Sequence, residues 1–258
     1  MLTTAQRDEA ARHLLAARRA RQSGPRLPQS CRPTALDDAL AIQRRVQELL
    51  GAATGGWKCS VPTAERAIAC APIFAPTLTR VSPWRVVGAD GVARIEPEVA
   101  FVLGRDLPHR SAAYGEAEVR AAIATTCLVL ELLGSRYADP TAVTFPELLA
   151  DHVSNQGLFI GPAVRNGLER QLEGFAIVVE TPSAKLYERE GRHPDGHPLR
   201  PLVWLANFLA ARPEAGGLKA GAIVTTGSYA GALEVPIAAP LRVQFGDLGA
   251  LNVELVAA

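Results

Sequence analysis

The sequence has no CxxC spacing among its four cysteines, Cys31, Cys59, Cys70 and Cys127, and too few of them for a disulfide scaffold. Both points favour a reducing compartment, with the thiols buried or incidental. An excess of charge is missing too. Twenty-seven basic residues against twenty-six acidic ones leave a formal charge of +1, so the totals point to no nucleic-acid or membrane-surface partner. No uninterrupted apolar run approaches the roughly 20 residues of a membrane span. Arg7, Asp8 and Glu9 stand where a signal peptide needs its apolar core, so the expected location is the cytoplasm. Internal repeats and low-complexity tracts are also lacking. What is present is 258 residues, 48% of them apolar, enough to bury a substantial core as one large domain or as a main domain with a helical appendage.

Residues 4 to 22 read as an amphipathic helix with Thr4 as cap, Asp8 and Glu9 in the first turn and a weak apolar stripe of Ala10, Leu14 and Ala17. Its Arg12, Arg18, Arg19 and Arg21 fit a solvated face better than a nucleic-acid surface, given the balanced charge. After the linker "SGPRLPQSCRP", a capping box of Thr34 and Asp37 opens a second helix through Leu36, Leu40 and Val46, stopped by Gly51. Residues 1–80 are therefore expected to be an N-terminal helical cover, and 81–258 a β-rich catalytic core. In the core, strand-like runs lie at 92–103, 127–133, 157–161, 174–180, 184–189, 222–226, 240–245 and 250–256. Helices are expected at 116–126, at 145–150 behind a Thr144/Glu147 capping box, and at 199–211. Because strands and helices do not alternate regularly, the expected class is α+β, a mixed twisted β-roll or sandwich, rather than a doubly wound sheet.

The segment "RIEPEVAFVLG", residues 94–104, places two carboxylates around a proline in an otherwise strand-like run. Alternation puts Glu96, Glu98, Ala100 and Val102 on one face, and Ile95, Pro97, Val99, Phe101 and Leu103 on the other. Pro97 cannot donate to a ladder, which predicts an edge or irregular position. Glu131 is a further candidate, a lone carboxylate in the apolar run "CLVLELLGSRY", where burial is costly without a compensating partner. Three carboxylates with no histidine nearby in sequence would make an oxygen-only site suited to Mg²⁺ or Mn²⁺. The residues alone leave a plainer alternative open: Glu96 and Glu98 on the wet face of a half-exposed strand, and Glu131 paired with Arg136 or another base.

Seven segments in order resemble the fumarylacetoacetate hydrolase superfamily, and within it the branch of 2-keto-4-pentenoate hydratases and 4-oxalocrotonate decarboxylases. They are "GWKCS" ending at residue 60, "PIFA" at 72–75, "IEPEVAFVLGRDLP" at 95–108, "LELLGSRYAD" at 130–139, "ELLADHVSNQGLFIGP" at 147–162, "GHPLRPLVWLANFLA" at 196–210 and "GAIVTTGS" at 221–228. The resemblance implies a twisted β-roll, homo-oligomers, and substrates that are 2-keto acids or their 2-hydroxydienoate enols. It also implies that Glu96, Glu98 and Glu131 hold the metal and that Lys58 lies beside the substrate as a proton carrier. Without it, Lys58 reads as an exposed lysine. Thr226, Gly227 and Ser228 are candidates for cradling the substrate carboxylate, or form an ordinary tight turn. Asp151 is a candidate charged neighbour of Lys58, or a helix-end cap.

Departures from the branch pattern bear on the reaction. "CSVPT" replaces a run of small residues after the lysine, and Ile73 and Ala75 stand where vinylpyruvate-type hydratases often have an acid and a glycine. The leading expectation is a hydratase of 2-hydroxy-2,4-dienoates from aromatic meta-cleavage catabolism. A 4-oxalocrotonate-type decarboxylase comes second. An acylpyruvate C–C hydrolase would need an H-x-x-E pair that is not seen near the N-terminal side of the site, and a 2-keto-acid-binding protein without turnover is the non-enzymatic alternative.

Overall fold

The computed structural model describes residues 1–64, 66–88 and 90–258. Its first helix, α1 (Thr4–Ala20), is capped one residue earlier than the sequence pattern indicates. Thr3 is the cap, accepting from the Gln6 backbone N–H at 3.3 Å, while Gln6 Oε1 accepts from the Thr3 backbone at 2.9 Å. The Thr34/Asp37 box does not form. Helix α2 (Leu36–Leu50) begins one residue later than that box requires, after Ala35 and with no side-chain cap; in its first turn Asp38 accepts from the Leu2 backbone N–H at 3.0 Å and pairs with Arg7 at 2.8 Å. Gly51 ends α2 at φ 67°, a left-handed position that costs glycine little. Helices α1 and α2 bury Leu14, Ile42 and Val46 against Leu27, Phe74, Tyr137 and Leu149 in a cluster separate from the main core.

The chain then enters the sheet at once. Strands β1 (Thr54–Ser60) and β2 (Ala69–Phe74) pair with each other, and β1 runs parallel to β10 (Ile223–Ser228). The sequence pattern gave no strand before residue 80. The Gly55–Gly56 pair in β1 reads as a loop signal, yet a Cβ at Gly56 would lie 2.4 Å from the Ile223 carbonyl oxygen. The glycine is what allows the two backbones to pair this closely. The helical part of the expected cover thus ends at Leu50, and the rest of 1–80 contributes strands to the core.

The remaining elements are β3 (Leu78–Thr79), β4 (Trp84–Val86), β5 (Val92–Leu103), α3 (Glu116–Ala122), β6 (Ile123–Leu133), α4 (Phe145–Ala150), β7 (Asn155–Ala163), β8 (Gly174–Glu180), β9 (Lys185–Arg192), α5 (Leu199–Ala210), β11 (Leu233–Pro236), β12 (Pro240–Phe245) and β13 (Gly249–Ala257). The Thr144/Glu147 box caps α4 as the sequence predicts. An eight-stranded sheet runs β2-β1-β10-β5-β6-β7-β3, with β11 also on β5, and a five-stranded sheet runs β4-β13-β12-β8-β9. The larger sheet curls into a half-barrel, the mixed α+β architecture expected.

Strand β5 is central. Its Ile95, Val99, Phe101 and Leu103 enter the main core, with Leu202, Leu205 and Leu209 of α5 and Val243 and Phe245 of β12. The opposite face of β5 carries Glu96 and Glu98, then Ala100 in a small cluster with Ile73, Val129, Leu158 and Ile223. Pro97 is not on an edge, as one expectation had it, but it does occupy a break. On one side it faces Leu130 of β6; on the other, β10 pairs as far as Ser228 opposite Glu98, and β11 takes over from Leu233 opposite Ile95. The missing N–H of Pro97 falls at this gap between partner strands, where only its carbonyl is engaged, by the Tyr229 N–H at 3.1 Å. No helix among the described residues is long and apolar enough to cross a membrane.

Candidate metal centre

Pairing of β5 with β6 sets Glu96 directly opposite Glu131, with Glu98 two residues further along the same face. Each of the three offers a carboxylate oxygen within 4.8 Å of the others. Like charges directly opposite in a sheet repel, and here water does little to screen them: Glu131 is 0% and Glu98 2% exposed. Burial, reinforced by the charges of Glu131 and Glu96, pushes the Glu98 carboxyl up to about 8. Burial and the Glu131 charge also push Glu96 up. Of the plainer alternative, the wet face does not form at Glu98, which is buried, while Glu96 is half-buried; Glu131 is indeed paired with a base, which is Lys58 and not Arg136.

The hydrogen bonds around the trio are asymmetric. Glu98 Oε2 accepts from the Gly227 N–H at 2.8 Å and from the Thr225 hydroxyl. Glu131 Oε1 accepts from Lys58 Nζ at 2.5 Å and from Asn155 Nδ2 at 2.9 Å, whereas Glu131 Oε2 is buried without any partner among the described residues. A buried carboxylate oxygen lacking a donor is costly unless something else satisfies it. Three hard oxygen donors converging around such an atom fit a divalent cation of the Mg²⁺, Mn²⁺ or Ca²⁺ type. Among the described residues, no other group of three His, Cys, Asp or Glu side chains converges in this way.

Lys58 belongs to this centre. It reaches across from β1, its side chain only 12% exposed, and also donates to the Val153 carbonyl at 3.2 Å. Burial works to lower its pKa, but Glu131, Glu96 and Glu98 outweigh burial and hold it above the ordinary lysine value. Three facing carboxylates stabilise the ammonium.

The other expected site residues are placed differently. Asp151 is 1% exposed and forms an ion pair with Arg136; its Oδ2 also accepts from the Arg136 backbone N–H at 3.0 Å. Asp151 is thus committed to Arg136, and Lys58 takes its contacts from Glu131 and Val153 instead. Beyond Asp151 the backbone runs left-handed through His152, Val153 and Ser154, at φ 55°, 50° and 60°. Within Thr226–Ser228, the hydrogen bond to the trio comes from Gly227. Its N–H holds Glu98, at φ 126°, and a Cβ there would lie 2.9 Å from the Pro194 ring. Thr226 is buried on the other face, bonded to the Val99 carbonyl at 3.4 Å, and Ser228 Oγ is bonded to the Gly231 carbonyl at 3.0 Å. Thr225 of "VTTGS" and Asn155 are contacts of the trio that the sequence pattern does not single out, because the strand register is not legible in it.

The raised Glu98 value has a measurable consequence. Cation binding requires the carboxylate form, so below about pH 8 each ion that binds must displace a proton held by Glu98. The apparent Mg²⁺ dissociation constant is expected to fall roughly tenfold per pH unit from pH 6 towards 8 and to level off above it. Calorimetric titrations at several pH values, in buffers of different ionisation enthalpy, measure both the trend and the released proton. A pH-independent constant would contradict the assignment.

No family model matches the chain. It is 30% identical over 137 residues to the 2-keto-4-pentenoate hydratase of Paraburkholderia xenovorans (strain LB400), covering 52% of this chain and 48% of the relative. It is 27% identical over 163 residues to the 4-oxalocrotonate decarboxylase of Pseudomonas putida, covering 63% and 60%. The matches span about half the length of these curated relatives. Among solved structures, 4-oxalocrotonate decarboxylase from Pseudomonas putida G7, complexed with magnesium and adipate, superposes with a TM-score of 0.79 at 20% identity, over 99% of both chains. At that identity the likeness establishes the fold. The resemblance seen in the sequence is met both by relatives bearing those names and by the fold.

Proposed function

We propose that this chain, which has the fold of the fumarylacetoacetate hydrolase superfamily, is a divalent-metal-dependent hydratase acting on 2-hydroxy-2,4-dienoates or their 2-keto-4-enoate tautomers. The observation that carries the reading is the buried, partnerless Oε2 of Glu131 inside a trio of carboxylates, with Lys58 alongside. Glu96, Glu98 and Glu131 would hold Mg²⁺ or Mn²⁺. Bound there, the ion would supply Lewis-acid stabilisation of the negative charge that develops on the 2-oxygen of a keto acid.

The protein's own groups do the rest. An ammonium has three donors, and two of those of Lys58 are taken by Glu131 Oε1 and the Val153 carbonyl. The third is left for the substrate, which suits Lys58 to moving a proton at the carbon framework during ketonisation of the dienol. Glu98 is kept oriented by Thr225 and Gly227. In the same reading the protein is a cytoplasmic homo-oligomer whose partner is the small-molecule keto acid, with neither nucleic acid nor membrane involved.

One observation favours the decarboxylase as a second reading. Ile73, standing where vinylpyruvate-type hydratases often place an acid, is fully buried in the apolar cluster with Ala100 and Val129, so this position offers nothing to activate water. The two readings separate in one assay. With Mg²⁺ and 2-hydroxypenta-2,4-dienoate, the dienol absorbance is expected to disappear without CO₂. Release of CO₂ from 4-oxalocrotonate, with no hydration of the pentadienoate, would replace the first reading by the second. Inertness towards both substrates would remove both.

A further inference from the structure

We propose that Asn155 is a positioning residue of this centre: its side-chain amide determines which oxygen of Glu131 is presented to the cation, and the left-handed turn before it holds that amide in place. The inference rests on the metal-centre reading above and adds to it a residue that does not itself ligate.

A carboxylate is two-fold about its last torsion, so either oxygen of Glu131 would serve equally as a ligand if nothing distinguished them. Here something does. Oε1 accepts from Asn155 Nδ2 at 2.9 Å and from Lys58 Nζ at 2.5 Å, and Oε2 accepts from none of the described residues. The NH₂ end of the Asn155 amide must be the one facing Glu131, because an ionised carboxylate only accepts. Lys58 is a poor sole determinant, since an ammonium is a compact point charge with three equivalent donors on a flexible stem. The short, planar amide of Asn155 carries no such freedom.

Its position is fixed through the backbone. The Asn155 carbonyl accepts from Arg136 Nη1 at 2.8 Å and from Arg18 Nη2 at 3.3 Å, which ties it to the buried Arg136–Asp151 pair and to α1. The three residues before it are all left-handed, and for Val153, branched at Cβ, φ 50° is an outlier. That conformation is held by Ser154 N–H on the Asp151 carbonyl at 3.1 Å, Gly134 N–H on the Ser154 carbonyl at 2.8 Å and Arg136 Nη2 on the Asp151 carbonyl at 2.5 Å. It aims the Val153 carbonyl at Lys58 and delivers Asn155 to Glu131. Strain held by its surroundings beside a site is consistent with a positioning role.

The test is Mn²⁺ binding to the full chain without substrate, by titration calorimetry, alongside thermal melting of the metal-free proteins. Asn155→Ala is expected to raise the Mn²⁺ dissociation constant about 10- to 100-fold, the range for a group that orients a ligand, with the metal-free melting temperature close to that of the parent. Asn155→Ser serves the same purpose if the alanine variant does not fold, and the same weakening is expected. A variant that folds and binds Mn²⁺ as tightly as the parent overturns the positioning role while leaving the metal centre standing. A parent protein that binds no Mn²⁺, Mg²⁺ or Ca²⁺ overturns both.

Discussion

Glu98→Gln is expected to bring turnover to background and to abolish Mn²⁺ binding at concentrations that saturate the parent, with an unchanged circular dichroism spectrum. The amide keeps the shape of the side chain and an oxygen that can still accept from the Gly227 N–H and the Thr225 hydroxyl, so the local hydrogen bonds survive. What disappears is a charge that burial and two neighbouring carboxylates already oppose. The sign for stability follows. In the unfolded chain this carboxyl gives up its proton near pH 4.5, whereas in the fold it keeps it until about 8. Between those values the folded state binds the extra proton, so its contribution to stability declines as pH rises. The glutamine variant lacks that decline, and at pH 8 without metal it should melt no lower than the parent. Normal turnover in Glu98→Gln would remove this side chain from the ligand set.

Lys58→Ala should separate binding from chemistry. The carboxylates remain, so Mg²⁺ is expected to bind still, while the rate falls by about 10²- to 10⁴-fold, the usual worth of a positioned proton carrier. Stability should respond in a diagnostic way. Removing one partner of a buried ion pair costs about 3–5 kcal/mol, and Glu131 is fully buried with Lys58 as its only ion-pair partner among the described residues. The metal-free variant should therefore melt well below the parent. A saturating cation, at about a hundred times its dissociation constant, should restore about 2.7 kcal/mol. An unchanged turnover number would exclude Lys58 as the proton carrier, whatever the melting curves show.

Most strands from residue 92 onward were legible because their apolar residues alternate and turn residues bound them: β5, β8 and β12 fall on the expected segments, whereas β11 was not expected and β6 takes over residues 123–126 from the expected helix. The two strands that carry and flank Lys58 were not. Gly55 and Gly56 in β1, and the Pro62 that follows it, carry loop signals, and it is the neighbours β2 and β10, one of them distant in sequence, that make a strand there worthwhile. The cap of α2 was misplaced by one residue: the helix begins after Ala35 rather than Thr34, and its buried Asp38 is held by Leu2 and Arg7, both distant in sequence. Local pattern loses where a contact distant in sequence offers more.

The same division runs through the site. Period-two alternation is a covalent property of an extended chain, so the sequence by itself determined that Glu96 and Glu98 share a face and that Glu131, in an apolar run, would need a partner. It could not say which partner. That Glu131 stands opposite Glu96, that Lys58 rather than Arg136 reaches it, that Asp151 is committed to Arg136, and that Thr225 rather than Thr226 meets Glu98 were decided by the tertiary structure. For Lys58, Glu131 and Thr225 the reason is strand register: a shift of one residue in β1, β6 or β10 would turn that side chain to the other face.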